Sequence, residues 1–334
     1  MELCRREFIR KMIALGFSAV TAGTLFSLLA CGREELPITT PETPASPESQ
    51  TSPTPAPQVQ SDIPLGSTYL AVARGERPVE LVKATIKVLG GMERFVKPGN
   101  DVIIKPNICV GYHSYEYAAT TNPEVVGTLV TLCLNAGAKQ VRVMDQPFGG
   151  TPQQAYAKSG IEDAVDAAGG KMEIMSDIKY REANIPNGRD ITSWSVYGDV
   201  LDADVFINVP VAKHHSLARL TLGMKNLIGV VLNPGKLHFN LGQRIADLNS
   251  LVRPTLTVVD AVRILMNNGP TGGSLDDVKL ANTIIASHDT VAADSYAATL
   301  FGLTGADIPA IRAGVQMGLG TMDLESIKME EINV

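Results

Sequence analysis

Cysteine is scarce in this 334-residue sequence, and its placement argues against two kinds of metal site. Cys4 and Cys31 lie near the N-terminus, and Cys109 and Cys133 are far apart in the remainder, without a Cys-x-x-Cys pair. We therefore expect no iron–sulfur cluster and no zinc knuckle in this chain. A disulfide between Cys109 and Cys133 is open to an exported protein, but the apolar helical run around Cys133 favours a buried free thiol.

Aromatic residues, positive net charge and the common nucleotide-binding motifs are also lacking. Aromatics make up 5% of the residues and the formal net charge is −6, which argues against nucleic acid as a partner. Neither a Gly-x-Gly-x-x-Gly motif nor a phosphate-binding loop occurs, so a dinucleotide enzyme or a P-loop ATPase is poorly supported. A hydrophobic fraction of 45% nevertheless provides for a sizeable core.

The N-terminus has the features of an export signal. The pair Arg5-Arg6 resembles the twin-arginine consensus, and Leu28-Leu29-Ala30-Cys31 resembles a bacterial lipobox. We expect residues 1–30 to be a twin-arginine signal peptide and Cys31 to be the lipid-modified first residue of the mature protein. An uncleaved membrane anchor is the alternative, because the apolar stretch is just long enough to span a bilayer.

A linker is expected to follow the signal. Residues 31–65 are rich in Pro, Ser and Thr, with seven prolines between Pro37 and Pro57, and such a tract forms a semi-rigid spacer rather than a core. The N-terminal part of the chain therefore predicts a protein that is exported and lipid-anchored to the cell envelope, on the periplasmic or outer face of a bacterial membrane.

Residues 66–334 alternate between apolar runs and amphipathic stretches. We expect strands at 69–73, 101–107, 141–145, 172–175, 205–209 and 255–260, and helices at 79–89, 123–135, 161–168, 291–300 and 307–317. This alternation predicts one α/β domain with a mainly parallel sheet that helices cover on both faces. Polar residues follow several strands, so we expect a polar cleft at the carboxyl ends of the sheet.

The densest polar stretch runs from Lys213 to His238 and holds three of the five histidines of the chain. Imidazole can ligate a metal, act as a general base or carry a proton near neutral pH. Cations grouped with neutral amides suit an anionic substrate group. For any single histidine a structural role in a loop is the alternative, but the clustering favours a site.

Several segments, in order, resemble one known family. They are Ile103–Asn107, Thr120–Pro123, Val209–His215, Lys225–Gly229, Val259–Asp260, Asn268–Pro270 and Ser287–Asp294. This series resembles the family catalogued as domain of unknown function 362 (DUF362), from about Tyr69 to Leu303. His214 departs from the family pattern, in which Thr is more usual. The resemblance names a fold group and leaves the reaction open.

The resemblance implies recurrent polar positions at Lys105, Asn107, Asp145, Lys213, His215, Lys225, Asn226, His238, Asp260, Asp289 and Asp294. Our candidate catalytic residues are Lys105, Lys213, His215 and Lys225, and our candidate residues for binding a cofactor or ligand are Asn107, Asn226 and Asp294. The residue types of His215 and His238, with Asp145 or Asp260, also permit a two-His, one-carboxylate site for a divalent metal. Asp289 is more simply a helix N-cap, whereas Asp294 should point from its helix toward the cations.

We expect Lys105, Lys213, His215, Lys225 and His238 to converge in one cleft with an acidic or anionic counterpart. The sequence narrowly favours a membrane-tethered enzyme that acts on a small anionic substrate, with metal assistance left open. The alternative is a non-catalytic lipoprotein that binds a small ligand or a metal, and a third interpretation has the polar residues satisfying one another. The residues leave the reaction, the substrate, the cofactor and any redox partner open.

Overall fold

A computed structural model describes residues 68–334 of the chain. The predicted twin-arginine signal, the lipobox and the Pro-rich linker all lie outside the described residues, as do both predicted boundaries, near residues 30 and 65. Those assignments stay predictions.

The described residues contain twelve strands and nine α-helices. The strands are β1 (Leu70–Arg74), β2 (Asp101–Pro106), β3 (Gln140–Val143), β4 (Lys171–Met172), β5 (Tyr180–Asn184), β6 (Ser193–Tyr197), β7 (Val205–Val209), β8 (Val211–His215), β9 (Arg219–Thr221), β10 (Leu256–Leu265), β11 (Val278–Ser287) and β12 (Met329–Asn333). The helices are α1 (Pro78–Val88), α2 (Pro123–Asn135), α3 (Pro152–Ser159), α4 (Ile161–Ala167), α5 (Gly198–Asp202), α6 (Gly223–Asn226), α7 (Leu241–Leu251), α8 (Thr290–Thr299) and α9 (Pro309–Gln316).

The main sheet is mixed but mainly parallel, which confirms the predicted fold class. Its strands run in the order β12-β1-β11-β10-β7-β2-β3-β4, and β8 and β9 extend from β10. The central pairs β10–β7, β7–β2, β2–β3 and β3–β4 are parallel, whereas β11 is antiparallel to both of its neighbours. Parallel strands end at a common edge, so β2, β3 and β7 bring their following residues together.

Helices cover both faces of this sheet, as the sequence predicts. Alternate strand residues enter two different cores: Ile103 and Phe206 pack into one, and Val102 and Ile207 into the other. The first core is closed by α7, α8 and α9, and the second by α1, α2, α3 and α4. Because both faces are buried, the central strands consist mainly of apolar runs, which is the pattern that identifies them in the sequence.

Two important strands were not predicted from the sequence: β11, in the middle of the sheet, and β8, which carries candidate site residues. The first half of β11 is exposed or partly exposed and carries Lys279 and Asn282, and only Thr283–Ser287 are buried, so the buried apolar run of this strand is short. Strand β8 follows β7 after Pro210 and carries Lys213 and His215, in a segment for which no strand was predicted. Both cases show tertiary pairing overriding local pattern.

Cys109 and Cys133 are both buried free thiols. The interpretation of Cys133 as a packed thiol on an apolar helix is therefore confirmed, and the disulfide alternative is wrong. Burial raises the pKa of the Cys133 thiol to about 12, so this group stays protonated. Within residues 68–334, no helix combines the length and the apolar character that crossing a bilayer requires.

Candidate functional site

Lys105 and Asp145 form a buried ion pair at the carboxyl edge of β2 and β3. Their Nζ and Oδ1 atoms are 2.7 Å apart, and the side chains are 1% and 4% exposed. Lys105 Nζ also donates hydrogen bonds to Pro106 O and to Asn226 Oδ1, and the backbone N–H of Ile108 donates to Asp145 Oδ2. One buried lysine of the site is thus matched by one carboxylate.

Gly229 leaves the space that this pair occupies. A Cβ atom at this position would lie 2.6 Å from Asp145 Oδ1 and 2.8 Å from both Cε and Nζ of Lys105. Any side chain here would therefore displace the ion pair. This contact gives a physical reason for the glycine that ends the Lys225–Gly229 motif.

A chain of amide side chains connects the pair to the neighbouring strand. Asn226 Nδ2 donates to Asn208 Oδ1 at 2.8 Å, and Asn107 Nδ2 donates to Asn226 Oδ1 at 2.8 Å. Asn208 in turn donates to the carbonyl of Gly223, at the start of α6. Because every amide is engaged, the network fixes the positions of the groups around it.

Lys213 is buried without a carboxylate partner. The residue is 1% exposed, and its Nζ donates to two neutral oxygens, Asn107 Oδ1 at 2.8 Å and Ala119 O at 2.6 Å. Burial lowers the pKa of Lys213, and the nearby Cys109 sulfur and Asp145 oppose that shift. Carbonyl oxygens solvate the ammonium group but do not neutralise its charge.

Lys225 has no hydrogen bond and no ion pair with any other residue in the part of the chain that the structure describes. Burial, together with the positive charges of Lys213 and Lys105, lowers its pKa to about 8 against the opposing Cys109. The residue lies on the short helix α6, one position before Asn226. A lysine that titrates near neutral pH can both hold an anion and transfer a proton.

His215 is held in one tautomer by the backbone. Its Nδ1 accepts hydrogen bonds from the N–H groups of Leu217 and Ala218, at 3.1 and 3.2 Å. Burial, with the charges of Lys225 and Lys213, lowers the pKa of His215 to about 3, so the ring is neutral at physiological pH. Because Nδ1 is an acceptor, Nε2 carries the proton and can donate it in a hydrogen bond.

His238 lies at the exposed rim of this cluster. Its ring centroid is 6.4 Å from that of His215, with the two planes inclined by 22°. Its Nδ1 is 3.2 Å from the carbonyl of Gly235. The structure therefore brings together the five residues expected to converge, with Lys105 and Lys213 deepest and His238 outermost.

The predicted metal ligands do not fit a metal ion. Within residues 68–334, no group of three or more His, Cys, Asp or Glu side chains is arranged to hold one. Asp145 is already paired with Lys105. His215 has no free lone pair for a metal, because its Nδ1 accepts backbone hydrogen bonds and its Nε2 carries the proton. Both oxygens of Asp260 accept hydrogen bonds from backbone N–H groups. The predicted ligands are therefore engaged with other protein groups.

Asp260 organises the turn at Thr120–Pro123 rather than the cation cluster. Its Oδ2 accepts from the N–H of Asn122 at 2.7 Å, and its Oδ1 accepts from the N–H of Val262 at 3.0 Å. Burial raises the pKa of Asp260 to about 6, and these two N–H groups oppose the shift. Thr121 completes the turn by donating its hydroxyl proton to Val209 O. This motif therefore joins the end of β7 and the middle of β10 to the start of α2.

Asp289 and Asp294 both bind backbone N–H groups. Asp289 is the N-cap of α8 and accepts from the N–H of Ala292 at 2.9 Å, which confirms its predicted role. Asp294 points inward from α8, but it accepts from the N–H groups of Gly223 and Met224, at 2.6 and 2.8 Å, and contacts no cation directly. It thereby holds the start of α6, the helix that carries Lys225.

Sequence reasoning missed three residues of this site. Asn208 is a polar residue inside the apolar run of β7, and that interruption is the signal that could have identified it. Cys109 follows Asn107 by two residues and lies near Lys213. Gly229 shows its role only through the close approach of Lys105 and Asp145.

Comparison with known protein families tests the resemblance to DUF362 that the sequence motifs suggest. The model of the family described as "Domain of unknown function (DUF362)" matches residues 102–299. The chain belongs to the DUF362 family. It is also 29% identical over 254 residues to a thylakoid-associated protein of Synechocystis sp., with 71% of this chain and 74% of that protein covered.

Two solved structures show distant similarity to this DUF362 protein. One is the lactate racemase apoprotein from Thermoanaerobacterium thermosaccharolyticum, with a TM-score of 0.42 at 12% identity, covering 66% of this chain and 54% of that one. The other is a protein from Thermotoga maritima, with a TM-score of 0.42 at 10% identity, covering 69% and 60%. This chain thus spans less than two thirds of either protein.

Proposed function

We propose that this DUF362 protein is an enzyme that binds a small anion beside Lys213, Lys225 and His215 and uses Lys225 to transfer a proton. The observation that carries the proposal is the unbalanced charge of the site. Asp145 matches Lys105, whereas Lys213 contacts two neutral oxygens and the Cys109 sulfur but no carboxylate, and Lys225 has no polar partner among the described residues. A bound anion would relieve the repulsion between these cations.

The three groups have complementary roles in this proposal. Lys213 is rigid, because Asn107 and Ala119 fix its ammonium group, and in its charged form it places a positive charge at a fixed position in the site. His215 donates a hydrogen bond from Nε2 to the anion. Lys225 has a pKa of about 8, so it can accept or return a proton while negative charge that develops on the substrate is stabilised by the other two.

Turnover can be tested with a panel of small anions. The purified protein is incubated in D₂O with small carboxylates and phosphate esters, and ¹H NMR records the loss or exchange of substrate protons. We expect turnover of at least one carboxylate, a large loss of rate in Lys225→Met, and an unchanged rate in Lys236→Met. Lys236 is an exposed lysine in the connection that follows α6, so it controls for the loss of one surface charge.

A non-catalytic anion-binding protein is the second candidate. The observation in its favour is that Lys105 and Lys213 are locked by amides and carbonyls, an arrangement that binding alone would also use. Binding of carboxylates without any change in the substrate spectra, over the whole panel, would establish this candidate and overturn catalysis. Failure to bind any anion would overturn both.

We further propose that the chain is tethered to a membrane through a lipid on Cys31, which lies outside the described residues. The support is the lipobox-like sequence before Cys31 and the similarity to a protein described as thylakoid-associated. Cys31→Ser is expected to release the protein from the membrane fraction or to block its processing. Lys in place of both Arg5 and Arg6 should stop export. Unchanged processing and export in these variants would contradict the proposal.

A further inference from the structure

We propose that the anion bound at this site is a carboxylate with a short aliphatic tail, and that the tail enters an apolar pocket next to Lys225. This inference rests on the proposed function, because it uses Lys225 as the anchor for the charged end. It goes further by assigning the chemical class of the substrate.

The pocket lies between α6, α7 and α9 and has an open mouth. Its cavity volume is about 30 Å³, so the inner part takes only the first carbon atoms of a tail, and the rest of the tail would lie along the open mouth. Its walls are mostly aliphatic, with Leu222, Met224, Ile245 and Ile308 among the lining residues, and Leu217 at 67% exposure is also part of the lining. An apolar wall of this kind gains by covering hydrocarbon and offers few partners to hydroxyl groups.

Lys225 connects this pocket to the cation cluster. It is the one cation among the lining residues of the pocket in the described part of the chain, and it interacts electrostatically with Lys213 and His215. A ligand that places a carboxylate beside Lys225 therefore places the adjoining carbon atoms against the aliphatic wall. Polar anions such as sugar phosphates would leave their hydroxyl groups facing that wall without partners.

Asp294 is the carboxyl group that also lines the pocket. Both of its oxygens accept hydrogen bonds from the backbone N–H groups of Gly223 and Met224. These two dipoles partly offset its charge and direct its oxygens to the start of α6. Asp294 therefore positions Lys225 and leaves the carboxylate of the ligand to pair with that lysine.

The test is a calorimetric titration series on the purified full-length protein. The probes are acetate, propanoate, butanoate and pentanoate, with glycolate, glycerate and inorganic phosphate as polar anions. We expect affinity to rise about fourfold for each added methylene group until the pocket is filled. Glycerate should bind more weakly than butanoate, since both carry one carboxylate but only butanoate has an aliphatic tail.

Two variants of the pocket make the assignment specific. Ala310→Phe fills space at a lining residue that is 7% exposed, and the ratio of pentanoate to acetate affinity should fall toward one. Leu241→Ala enlarges the pocket at a partly exposed position, and the preference should shift toward the longer chains. A thermal unfolding curve for each variant verifies that it is folded.

The outcomes separate this inference from the proposed function. Equal affinity for acetate and pentanoate in the wild type, or tighter binding of glycerate or phosphate than of butanoate, would overturn the aliphatic assignment and leave anion binding intact. Absence of binding by all seven probes would instead overturn the proposed function itself. A chain-length series that Ala310→Phe flattens would support both.

Discussion

Two charged clusters of this domain are built on opposite principles. Arg142, on β3, is surrounded by carboxylates, with Asp101 at 2.7 Å, Glu173 at 3.2 Å and Asp199 at 2.5 Å. In the site cluster the cations are in excess, because Asp145 pairs directly with Lys105 and acts on Lys213 only at longer range, and Lys225 has no carboxylate partner among the described residues. Lys179 and Lys171 add two further cations to the first cluster, so its three carboxylates are matched by three cations, whereas the second cluster is not balanced in this way.

The difference indicates which cluster has a role beyond stability. Holding like charges together away from water raises the free energy of the folded state, unless a partner of opposite charge is bound. In the Arg142 cluster, side chains of opposite charge pair with one another, so this cost does not arise. The lysine cluster retains the cost in the free protein, and such an arrangement is typical of a binding or catalytic site.

The largest expected effect concerns the one carboxylate of the site cluster. Asp145→Ala leaves Lys105 buried without its partner and should lower the free energy of unfolding by about 3–5 kcal/mol. Asp202→Ala is the matched control, because Asp202 forms an exposed pair with Arg181 and its loss should cost about 1 kcal/mol or less. Urea unfolding measures both, and similar losses in the two variants would contradict the comparison.

A second, smaller effect concerns the glycine against this pair. Gly229→Ala forces a methyl group into the space of Lys105 and Asp145 and should lower the free energy of unfolding by about 1–3 kcal/mol. Gly235→Ala is the control, because a Cβ there meets no atom within 4 Å. If the two alanine variants were equally stable, the ion pair would have to be less rigid than the structure shows.

The third expectation is a pH dependence of anion binding. Lys225 loses its charge as pH rises through about 8, while His215, with a pKa of about 3, stays neutral throughout this range. Acetate affinity should therefore fall about tenfold between about pH 7 and about pH 9. In Lys225→Met this step should vanish, and a wild-type affinity that is flat over the same range would count against Lys225 as the anchor.

The smallest expected effect is on stability: loss of a cation should stabilise the protein in the lysine cluster and destabilise it in the Arg142 cluster. Folding lowers the pKa of Lys225 from its ordinary 10.5 to about 8, so the charged form is disfavoured in the folded state and stability is gained as pH rises between these values. At neutral pH, Lys225→Met should raise the free energy of unfolding by about 1 kcal/mol, which is the cost of the pKa shift after a discount for solvent around this half-buried side chain. Arg142→Met should lower it, because three carboxylates lose their common partner.

Thermal unfolding of these two variants, measured side by side, is the check on that sign. A loss of stability in both would mean that Lys225 contributes favourable contacts that offset its desolvation. The contrast between the balanced Arg142 cluster and the unbalanced lysine cluster would then not hold for Lys225.

The fold was largely predictable because both faces of the sheet are buried. Strand β7 and helix α2 occupy the predicted positions without any shift, since an apolar run and a Pro at the first helical turn are local signals. Strand β11 was not predictable in the same way. Its partly exposed first half is stabilised by pairing with β10, which is a long-range contact that local sequence does not contain.

The membership of the cation cluster was predictable from strand ends, but the roles of its carboxylates were not. Lys105 and Lys213 interact because β7, which pairs with β2, leads after one residue into β8. Asp260 also lies at the end of a predicted strand and was therefore expected in the cluster. In the structure it instead accepts a hydrogen bond from the N–H of Asn122 at the adjoining turn. Which backbone N–H groups a buried carboxylate meets depends on loop geometry that residue order alone does not determine.

The central claim, that the lysine cluster is completed by a small anion, is tested most directly by calorimetric titration of acetate into the full-length protein at neutral pH. The wild type and Lys236→Met should bind acetate saturably at a single site with the same affinity. The double variant Lys213→Met, Lys225→Met should show no saturable heat while remaining folded by thermal unfolding. Equal binding by all three proteins, or no binding by the wild type to acetate or to inorganic phosphate, would contradict the account.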